Sequence, residues 1–375
     1  MIRSPPTEGP RAAKPALLDF FAGAGLVTEA VRPWFEVAWA NDISPKKARV
    51  YVANHGAGHF HLGPVEQVRG ATLPAANVSW ASFPCQDLSL AGPQAGLRGK
   101  RSGLVWEWLR IHDEMPRKAS VLVAENVVGL LSAADGENYR VLHRELVKRG
   151  FKVGALVLDA VEFLPHSRPR VFIAACDAAV DTSALELPLA GWPHTRAVLT
   201  ANSGLEGWVY WKLPPPPRRR AGGLSQLLEW EAATDPEEKA QRNLGMIAKQ
   251  HQTRLLKELA NGFTVAPGYK RTRAGRPVLE LRYDEIAGCL RTPEGGSSRQ
   301  LLVLRRDGRL ATRLLTARET ARLMGAPDTY RLPENYNDAY KAMGDAVAVP
   351  VVRFLAEHLL LPLFHACQSQ ALRTA

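Results

Sequence analysis

The chain has 375 residues, of which 46% are hydrophobic, and this composition excludes a disordered or collagen-like protein. Its length allows one large and one smaller hydrophobic core. A formal net charge of +11 and a pI near 9.7 favour a polyanionic partner such as nucleic acid.

The first fourteen residues are polar and rich in proline, and no apolar run follows them. No later window approaches the roughly eighteen apolar residues of a membrane span. We therefore expect a cytoplasmic protein that is not exported and binds no membrane. Four cysteines lie far apart without a C-x-x-C pair, which predicts neither a zinc site nor a disulfide framework and leaves each thiol a candidate nucleophile. They are Cys85, Cys176, Cys289 and Cys367.

Residues 15–180 alternate short apolar runs with amphipathic stretches, which predicts strands joined by crossover helices. The predicted strands are Ala16–Phe21, Phe35–Ala40, Val78–Phe83, Val121–Glu125, Lys152–Asp159 and Arg170–Cys176. The predicted helices are Gly25–Arg32, Pro45–His55, Leu104–Met115 and Gly136–Lys148. This is a doubly wound α/β domain, whose ligands bind at the carboxyl ends of its strands.

After about Asp177 the composition changes to scattered Trp, Pro and Arg, which predicts a separate, irregular module with one helix at Pro236–Asn261. From about Leu314 a helical pattern returns and ends in a long apolar helix that must dock on the first domain. The predicted organisation has four parts. They are a flexible segment 1–14, a first domain 15–180, a smaller domain 181–313, and a helical segment 314–375.

A glycine-rich turn, FAGAG, joins the first strand to the first helix and lets a cofactor approach the backbone. Taken alone, it is as often a plain tight turn. Asp42 ends the second strand, where it is placed to accept hydrogen bonds from ribose hydroxyls. Its position before Ser44 also suits a helix cap.

Three further motifs lie at strand ends. The loop SFPCQDLS places Cys85 just past a buried strand, where a thiol is exposed and aimed rather than inert. The next strand delivers Glu125 to the same edge of the sheet. In HSRPRVF, Arg168 and Arg170 are two residues apart and point to one face of a strand, as an anion or carbonyl binder would require.

These elements together resemble the cytosine-C5 DNA methyltransferases. The shared motifs, in the family's order, are DFFAGAG, FPCQ, AENV, the R-x-R strand, RLLTARETARLMG and GDAVAVPVV. They cover residues 17–176 and 314–361. The resemblance implies a Rossmann-like, S-adenosylmethionine-dependent methyltransferase sheet with 181–313 as its target-recognition domain.

The resemblance also implies the catalytic roles. Cys85 adds to C6 of a flipped cytosine, Glu125 contacts N3 and the exocyclic amine, Arg170 reaches O2, and Arg168 holds nearby backbone or phosphate. Loss of either arginine is expected to leave the fold intact and to cripple the chemistry.

For the cofactor, the resemblance implies S-adenosylmethionine, released as S-adenosylhomocysteine, and no metal. The implied binding residues are Phe21, Gly23, Gly25, Asp42, Ile43, Pro84, Gly344, Ala346 and Val347. Four positions depart from the family pattern: Pro64 replaces an acid that Glu66 could supply, His166 replaces Gln, Ala326 replaces an aromatic residue, and Asp345 replaces Asn.

Double-stranded DNA is the implied partner, with a mobile lid after the cysteine. The candidate DNA contacts are Gln86, Ser89, Arg98, Lys100, Arg101, Arg218, Arg219, Arg220, Lys270, Arg271 and Arg273, with Arg276 beside them. The run of arginines after PPPP is equally compatible with a solvated linker, and the tryptophans of this domain with a small core.

The predicted function is DNA (cytosine-5-)-methyltransferase. Three alternatives are weaker: a tRNA methyltransferase of the same fold, whose usual Cys-Phe-Thr element is absent from the sequence; a catalytically dead homologue; and an unrelated Rossmann oxidoreductase. We expect a monomer that works on DNA in the cytoplasm, with a cognate restriction endonuclease as a candidate partner.

Overall fold

A computed structural model describes residues 13–84, 103–217, 222–291 and 299–374. Within these residues, the large sheet has seven strands. The strands are β1 Ala16–Phe20, β2 Glu36–Asp42, β3 Phe60–Leu62, β4 Val78–Ala81, β5 Val121–Val127, β6 Phe151–Asp159 and β7 Pro169–Asp177. Their order is β3-β2-β1-β4-β5-β7-β6, and β7 runs antiparallel to both of its neighbours. The predicted α/β class is confirmed, and β3 is an addition because three residues, two of them exposed, leave no apolar run to detect.

Helices cover both faces of this sheet. They are α1 Leu26–Val31, α2 Pro45–His55, α3 Leu104–Glu114, α4 Glu137–Lys148 and α5 Arg196–Asn202. Neighbouring residues of β1 show the two faces, since Leu17 packs in one hydrophobic cluster and Leu18 in the other. The first helical turn of α2 is defined by Pro45 at its start and by Ser44, whose hydroxyl accepts the Lys47 amide hydrogen.

Two short paired strands extend the first domain beyond residue 180. It consists of β8 Glu186–Leu187 and β9 Tyr210–Trp211, which pair antiparallel. The fully buried Trp211 indole donates to the Ala174 carbonyl of β7 at 2.8 Å. This part of the predicted second domain therefore packs on the edge of the large sheet.

A second, antiparallel sheet forms the core of the smaller module. Its strands are β10 Val265–Arg273, β11 Arg276–Leu281, β12 Gln300–Arg306 and β13 Arg309–Leu314, in the order β11-β10-β12-β13. Two helices, α6 Glu237–Gly245 and α7 Lys249–Ala260, replace the single predicted helix. The break has a clear cause, because Met246 O accepts the Leu279 amide hydrogen at 2.6 Å and Ile247 bridges to the same strand.

The C-terminal segment returns to the first domain. It contains α8 Ala317–Leu323, α9 Tyr336–Asp345, and α10 Val349–Leu355, which continues through a π-helical turn into α11 Leu361–Thr374. The helical stretch Tyr336–Arg373 is long and apolar enough by composition to cross a membrane, so the expectation that no window approaches this length is wrong. However, 61% of its most apolar window is buried inside the protein, as in the core helix of a soluble protein.

Candidate functional site

The carboxyl ends of β4 and β5 lie side by side. Asn126 donates from Nδ2 to the Phe83 carbonyl at 3.1 Å, so the residues just before position 85 are held against the end of β5. The Ser82 hydroxyl donates to the Glu125 carboxylate. The side chain of Glu125 is only 8% exposed, so its carboxyl group is largely shielded from water at this edge of the sheet.

Both arginines of the R-x-R motif reach this edge, but with different surroundings. Arg170 Nε lies 3.4 Å from Glu125 Oε1. Arg168 is 2% exposed and donates to three carbonyls, those of Leu290 at 3.0 Å, Gly344 at 2.7 Å and Ala346 at 2.6 Å. Arg168 therefore ties three parts of the chain together; the resemblance implied that it holds nearby backbone or phosphate, but not which segments it joins.

The electrostatics of the cluster favour a protonated carboxyl group. Burial raises the pKa of Glu125 above its usual value, and the charges of Arg170 and Arg168 oppose this shift without cancelling it. Burial also lowers the pKa of Arg168 to about 10, with the neighbouring Arg170 charge acting in the same direction. Two guanidinium groups thus share one largely desolvated site.

The glycine-rich turn after β1 lies at the same edge of the large sheet. Phe21 and Gly23 both have positive φ, at 58° and 59°. A Cβ on Gly23 would meet nothing closer than 3.9 Å, so the backbone there borders open space that a ligand could occupy. The Asp42 carboxylate accepts the Gly23 amide hydrogen at 3.0 Å and the Ser44 amide hydrogen at 2.8 Å, which joins the glycine-rich turn to the start of α2. The capping residue of α2 is Ser44, so the alternative interpretation of Asp42 as the helix cap is wrong.

Next to Asp42 is an exposed apolar shelf. Ile43 is 67% exposed and Leu62 is 50% exposed, although large aliphatic side chains are usually covered. Leu62 is the strand partner of Asp42, and Ile43 follows Asp42 in the sequence, so both apolar residues are neighbours of Asp42. The geometry fits a flat, apolar ring bound next to a polyhydroxylated sugar.

The C-terminal segment reaches the start of α2 and the glycine-rich turn. Lys47 forms a 2.6 Å ion pair with Asp345, next to Gly344 and Ala346. On the same side of the turn, Tyr330 donates to the Ala24 carbonyl. The predicted far wall of Gly344, Ala346 and Val347 is therefore brought to the glycine-rich turn.

Comparison with known proteins decides which family this site belongs to. The family model described as C-5 cytosine-specific DNA methylase matches residues 16–360. The chain belongs to this family. The methylase is 27% identical to the Type II methyltransferase M.MspI of Moraxella sp. over 356 residues, which cover 92% of this chain and 70% of the relative. It is 26% identical to M.HhaI of Haemophilus parahaemolyticus over 349 residues, covering 91% and 93%.

Among solved structures, the Dnmt2 methyltransferase of S. pombe has the same fold, with a TM-score of 0.61, 18% identity, and coverage of 93% of the methylase and 99% of that chain. The predicted enzyme class, a DNA cytosine-C5 methyltransferase, is confirmed, and the comparisons favour it over the tRNA alternative. The unrelated oxidoreductase is excluded by the same family match.

The basic residues of the second sheet divide between its two faces. Side chains alternate along β10, so Tyr269, Arg271 and Arg273 share one face and Lys270 lies on the other. The Arg271 guanidinium lies 5.1 Å from the centre of the Tyr269 ring, and the Tyr269 hydroxyl donates to the Cys289 carbonyl near the arginine pair. Arg273 pairs with Glu280 at 2.7 Å. The odd-numbered face of β10 therefore starts near the arginine pair, at Tyr269, and runs away from it to Arg273.

Several predicted positions lie outside the described residues of the methylase. They are Cys85, Gln86, Ser89, Arg98, Lys100, Arg101, Arg218, Arg219 and Arg220. Most of the N-terminal segment 1–14 lies outside them too. Within the described ranges, no group of three or more His, Cys, Asp or Glu side chains could hold a metal ion.

One cysteine at the site was not assigned from sequence. Cys289 Sγ accepts a hydrogen bond from Arg168 at 3.4 Å and another from Arg170. Burial raises the pKa of this thiol, but the two arginine charges outweigh burial and the net shift is downward. No local pattern marks Cys289, because its partners are more than a hundred positions away in the sequence.

Proposed function

We propose that the methylase transfers a methyl group to C5 of a cytosine flipped out of double-stranded DNA, with Cys85 as the nucleophile. The observation that carries this proposal is the Glu125–Arg170 pair, whose Oε1 and Nε atoms lie 3.4 Å apart beside the strand end that precedes Cys85. A carboxyl group and a guanidinium side by side match the N3–C2–O2 edge of cytosine, because that edge offers two acceptors to two donors.

The thiolate has a specific task in this scheme. C5 of cytosine is a poor nucleophile, and addition of sulfur to C6 makes C5 an enamine carbon. After C5 has taken the methyl group, loss of the C5 proton and departure of the thiolate restore the double bond. The electron pair that forms the C–S bond leaves with sulfur, so the cysteine is regenerated.

Glu125 and Arg170 assist the addition by drawing electron density from the ring. A protonated Glu125 donates to N3, and burial, which raises the pKa of this carboxyl, favours the protonated form. Arg170 donates to O2, where negative charge also accumulates. Arg168 contributes by holding the surrounding backbone rather than by touching the base.

The turn and the shelf at the adjoining edge fit S-adenosylmethionine. Gly23 would face the amino-acid portion, Asp42 would accept from the ribose hydroxyls, and Ile43 with Leu62 would cover adenine. Pro84 would separate this pocket from the base. When bound, S-adenosylmethionine supplies the electrophilic methyl group and leaves as S-adenosylhomocysteine.

The odd-numbered face of β10 would lie along the DNA. Tyr269, Arg271 and Arg273 follow one another outward from the catalytic edge, and Arg276 faces Arg273 across the hairpin. Lys270 faces α6, beside Lys239 and Arg242, and is assigned a supporting role. Arg218, Arg219, Arg220 and the stretch after Cys85 remain candidate phosphate contacts.

The direct test uses duplex DNA in which 5-fluorocytosine replaces cytosine, because fluorine at C5 blocks the elimination that releases the enzyme. We expect a covalent complex with the wild-type chain in the presence of S-adenosylmethionine, and none with Cys85→Ser. Bisulfite sequencing of DNA from expressing cells identifies the modified cytosine and its sequence context. Labelled methyl groups on RNA alone would reject DNA as the substrate.

The relatives named Type II methyltransferases suggest a protective role. We propose that this methylase acts as a monomer in the cytoplasm and protects DNA against a restriction endonuclease of the same specificity. Plasmid isolated from expressing cells should resist one nuclease that cuts control plasmid. Light scattering of the purified chain tests the monomer.

A further inference from the structure

His166 lies where three segments of the chain meet. It is fully buried, just before β7. The backbone on either side of it pairs with the recognition domain: Ser167 N donates to Ala287 O at 2.9 Å, and Ala287 N donates to Pro165 O at 2.8 Å. The side chain then reaches two further segments.

Each ring nitrogen of His166 has one defined partner. Nδ1 lies 2.9 Å from the Leu323 carbonyl at the end of α8, and Nε2 lies 3.2 Å from the Leu290 amide nitrogen. A carbonyl only accepts and an amide only donates, so the hydrogen must be on Nδ1 and the lone pair on Nε2. Burial, reinforced by the charge of Arg168, lowers the pKa of His166 to about 3, so the ring stays neutral.

Leu290 is held from both sides. His166 accepts its amide hydrogen, and Arg168 donates to its carbonyl at 3.0 Å. The same guanidinium contacts Cys289 Sγ at 3.4 Å, and Cys289 also accepts from Arg170. A shift of Leu290 would therefore move Arg168 and Cys289, and with them the surroundings of Arg170.

We propose that His166 is a positioning residue that keeps the recognition domain docked on the catalytic arginines. Its imidazole fixes Leu290 of the recognition domain and Leu323 of the C-terminal segment to the strand that carries Arg170. The guanidinium of Arg170 then stays beside Glu125 when the recognition domain engages DNA. This inference rests on the catalytic roles proposed above for Arg170 and Glu125.

A purely structural histidine would give a different result from a positioning one. His143 on α4 offers the comparison, because it is equally buried and also has two partners, Glu206 O at 2.8 Å and Tyr139 Oη at 3.4 Å. Its partners belong to the far side of the first domain. Loss of His143 should therefore lower the free energy of unfolding without moving Arg168 or Arg170.

The test compares His166→Gln, His166→Asn, His166→Leu and His143→Leu. A glutamine amide offers one donor and one acceptor with the required reach, asparagine offers both on a shorter side chain, and leucine offers neither. Thermal unfolding gives the folded fraction of each full-length variant. Methyl transfer to duplex DNA at saturating S-adenosylmethionine gives kcat and the KM for DNA.

We expect folded His166→Leu to lose about 100-fold in kcat, and His166→Gln and His143→Leu to stay within about threefold of wild type. Wild-type kcat in folded His166→Leu would overturn the proposal, and so would an equal loss in folded His166→Gln. If His166→Leu does not fold, His166→Asn takes its place under the same criteria. Glu125→Gln in the same assay reports on the site itself, since full activity there rejects the catalytic roles rather than the positioning role.

Discussion

Arg170 Nε lies 3.4 Å from Glu125 Oε1 across two antiparallel strands, one of which is the only strand of the large sheet that reverses direction. In the register, Arg170 is opposite Val127, so Glu125 is its diagonal neighbour on the same face. The reversal of β7 brings the start of this strand, and its arginines, to the edge where the parallel strands end. One change of strand direction thus assembles a carboxyl group and a guanidinium.

Replacing Glu125 by Gln should lower kcat/KM by about 100-fold or more, because the amide donates to N3 but cannot transfer a proton. The fold should survive, since glutamine has the same shape and its amide oxygen can still accept a hydrogen bond from Arg170. Steady-state methyl transfer and thermal unfolding measure the two effects. Glu137→Gln, at an exposed ion pair on α4, is the matched control and should keep wild-type activity. A fully active Glu125→Gln variant would contradict this role.

The two arginines should differ in what their loss costs. Arg168→Ala removes the donor for three buried carbonyls and should lower the free energy of unfolding by about 3 kcal/mol or more. Arg170→Ala should cost about 1 kcal/mol, because Glu125 can bind a proton instead. Urea unfolding followed by circular dichroism checks both values. If Arg168→Ala lowered the free energy of unfolding no more than Arg170→Ala does, Arg168 would not hold these segments together. The expectation that loss of either arginine leaves the fold intact would then stand.

The first domain could be predicted closely from the sequence. Most of its strands contain short apolar runs, and Ser44 followed by Pro45 marks the start of helix α2 in the sequence. Because parallel strands deliver their ends to one edge, the position of Glu125 beside the end of β4 follows from the strand pattern. The arginine pair joins this edge only because β7 runs antiparallel, which a parallel pattern does not predict. These are local signals combined with one topological rule.

The second sheet could not be found in this way. Strand β10 ends in KRTR, and β11 begins with Arg276 and Pro277. These residues interrupt the alternation of apolar and polar residues by which a strand is recognised in a sequence. The contacts of Cys289 with Arg168 and Arg170 depend on tertiary packing between segments 121 residues apart. The approach of Cys176 to Cys367, with sulfurs 3.6 Å apart, is hidden for the same reason.

The two faces of β10 predict unequal effects on DNA binding. Arg271→Ala should weaken binding by about 1–3 kcal/mol if it contacts a base edge, or lower the salt slope by about 1 if it contacts a phosphate. Lys270→Ala should change neither quantity by as much, because Lys270 faces α6. Fluorescence anisotropy with a cognate duplex at several salt concentrations measures both. A larger loss for Lys270→Ala would place the DNA on the opposite face of the sheet.

The buried carboxyl of Asp19, beneath the glycine-rich turn, should make stability depend on pH. Thr28 donates to Asp19 Oδ2 at 3.0 Å, while Oδ1 is buried and has no hydrogen-bond partner among the residues that the structure describes. Burial raises the pKa of Asp19 from 3.8 to about 7. Because the folded-state pKa lies above the unfolded one, the contribution to stability is fully present below about pH 4 and is lost as the pH rises to about 7.

The difference in unfolding free energy between wild type and Asp19→Asn should therefore fall with rising pH across this window, by at most about 1.4 kcal/mol per pH unit. Thr28→Val removes the hydroxyl that holds the pKa of Asp19 down, so in that background the fall should extend to higher pH. Urea titrations at half-unit intervals from pH 4 to pH 8 provide the measurement. Parallel pH profiles for wild type and Asp19→Asn would mean that Asp19 is ionised in the folded protein, and that water or a bound ligand reaches its second oxygen.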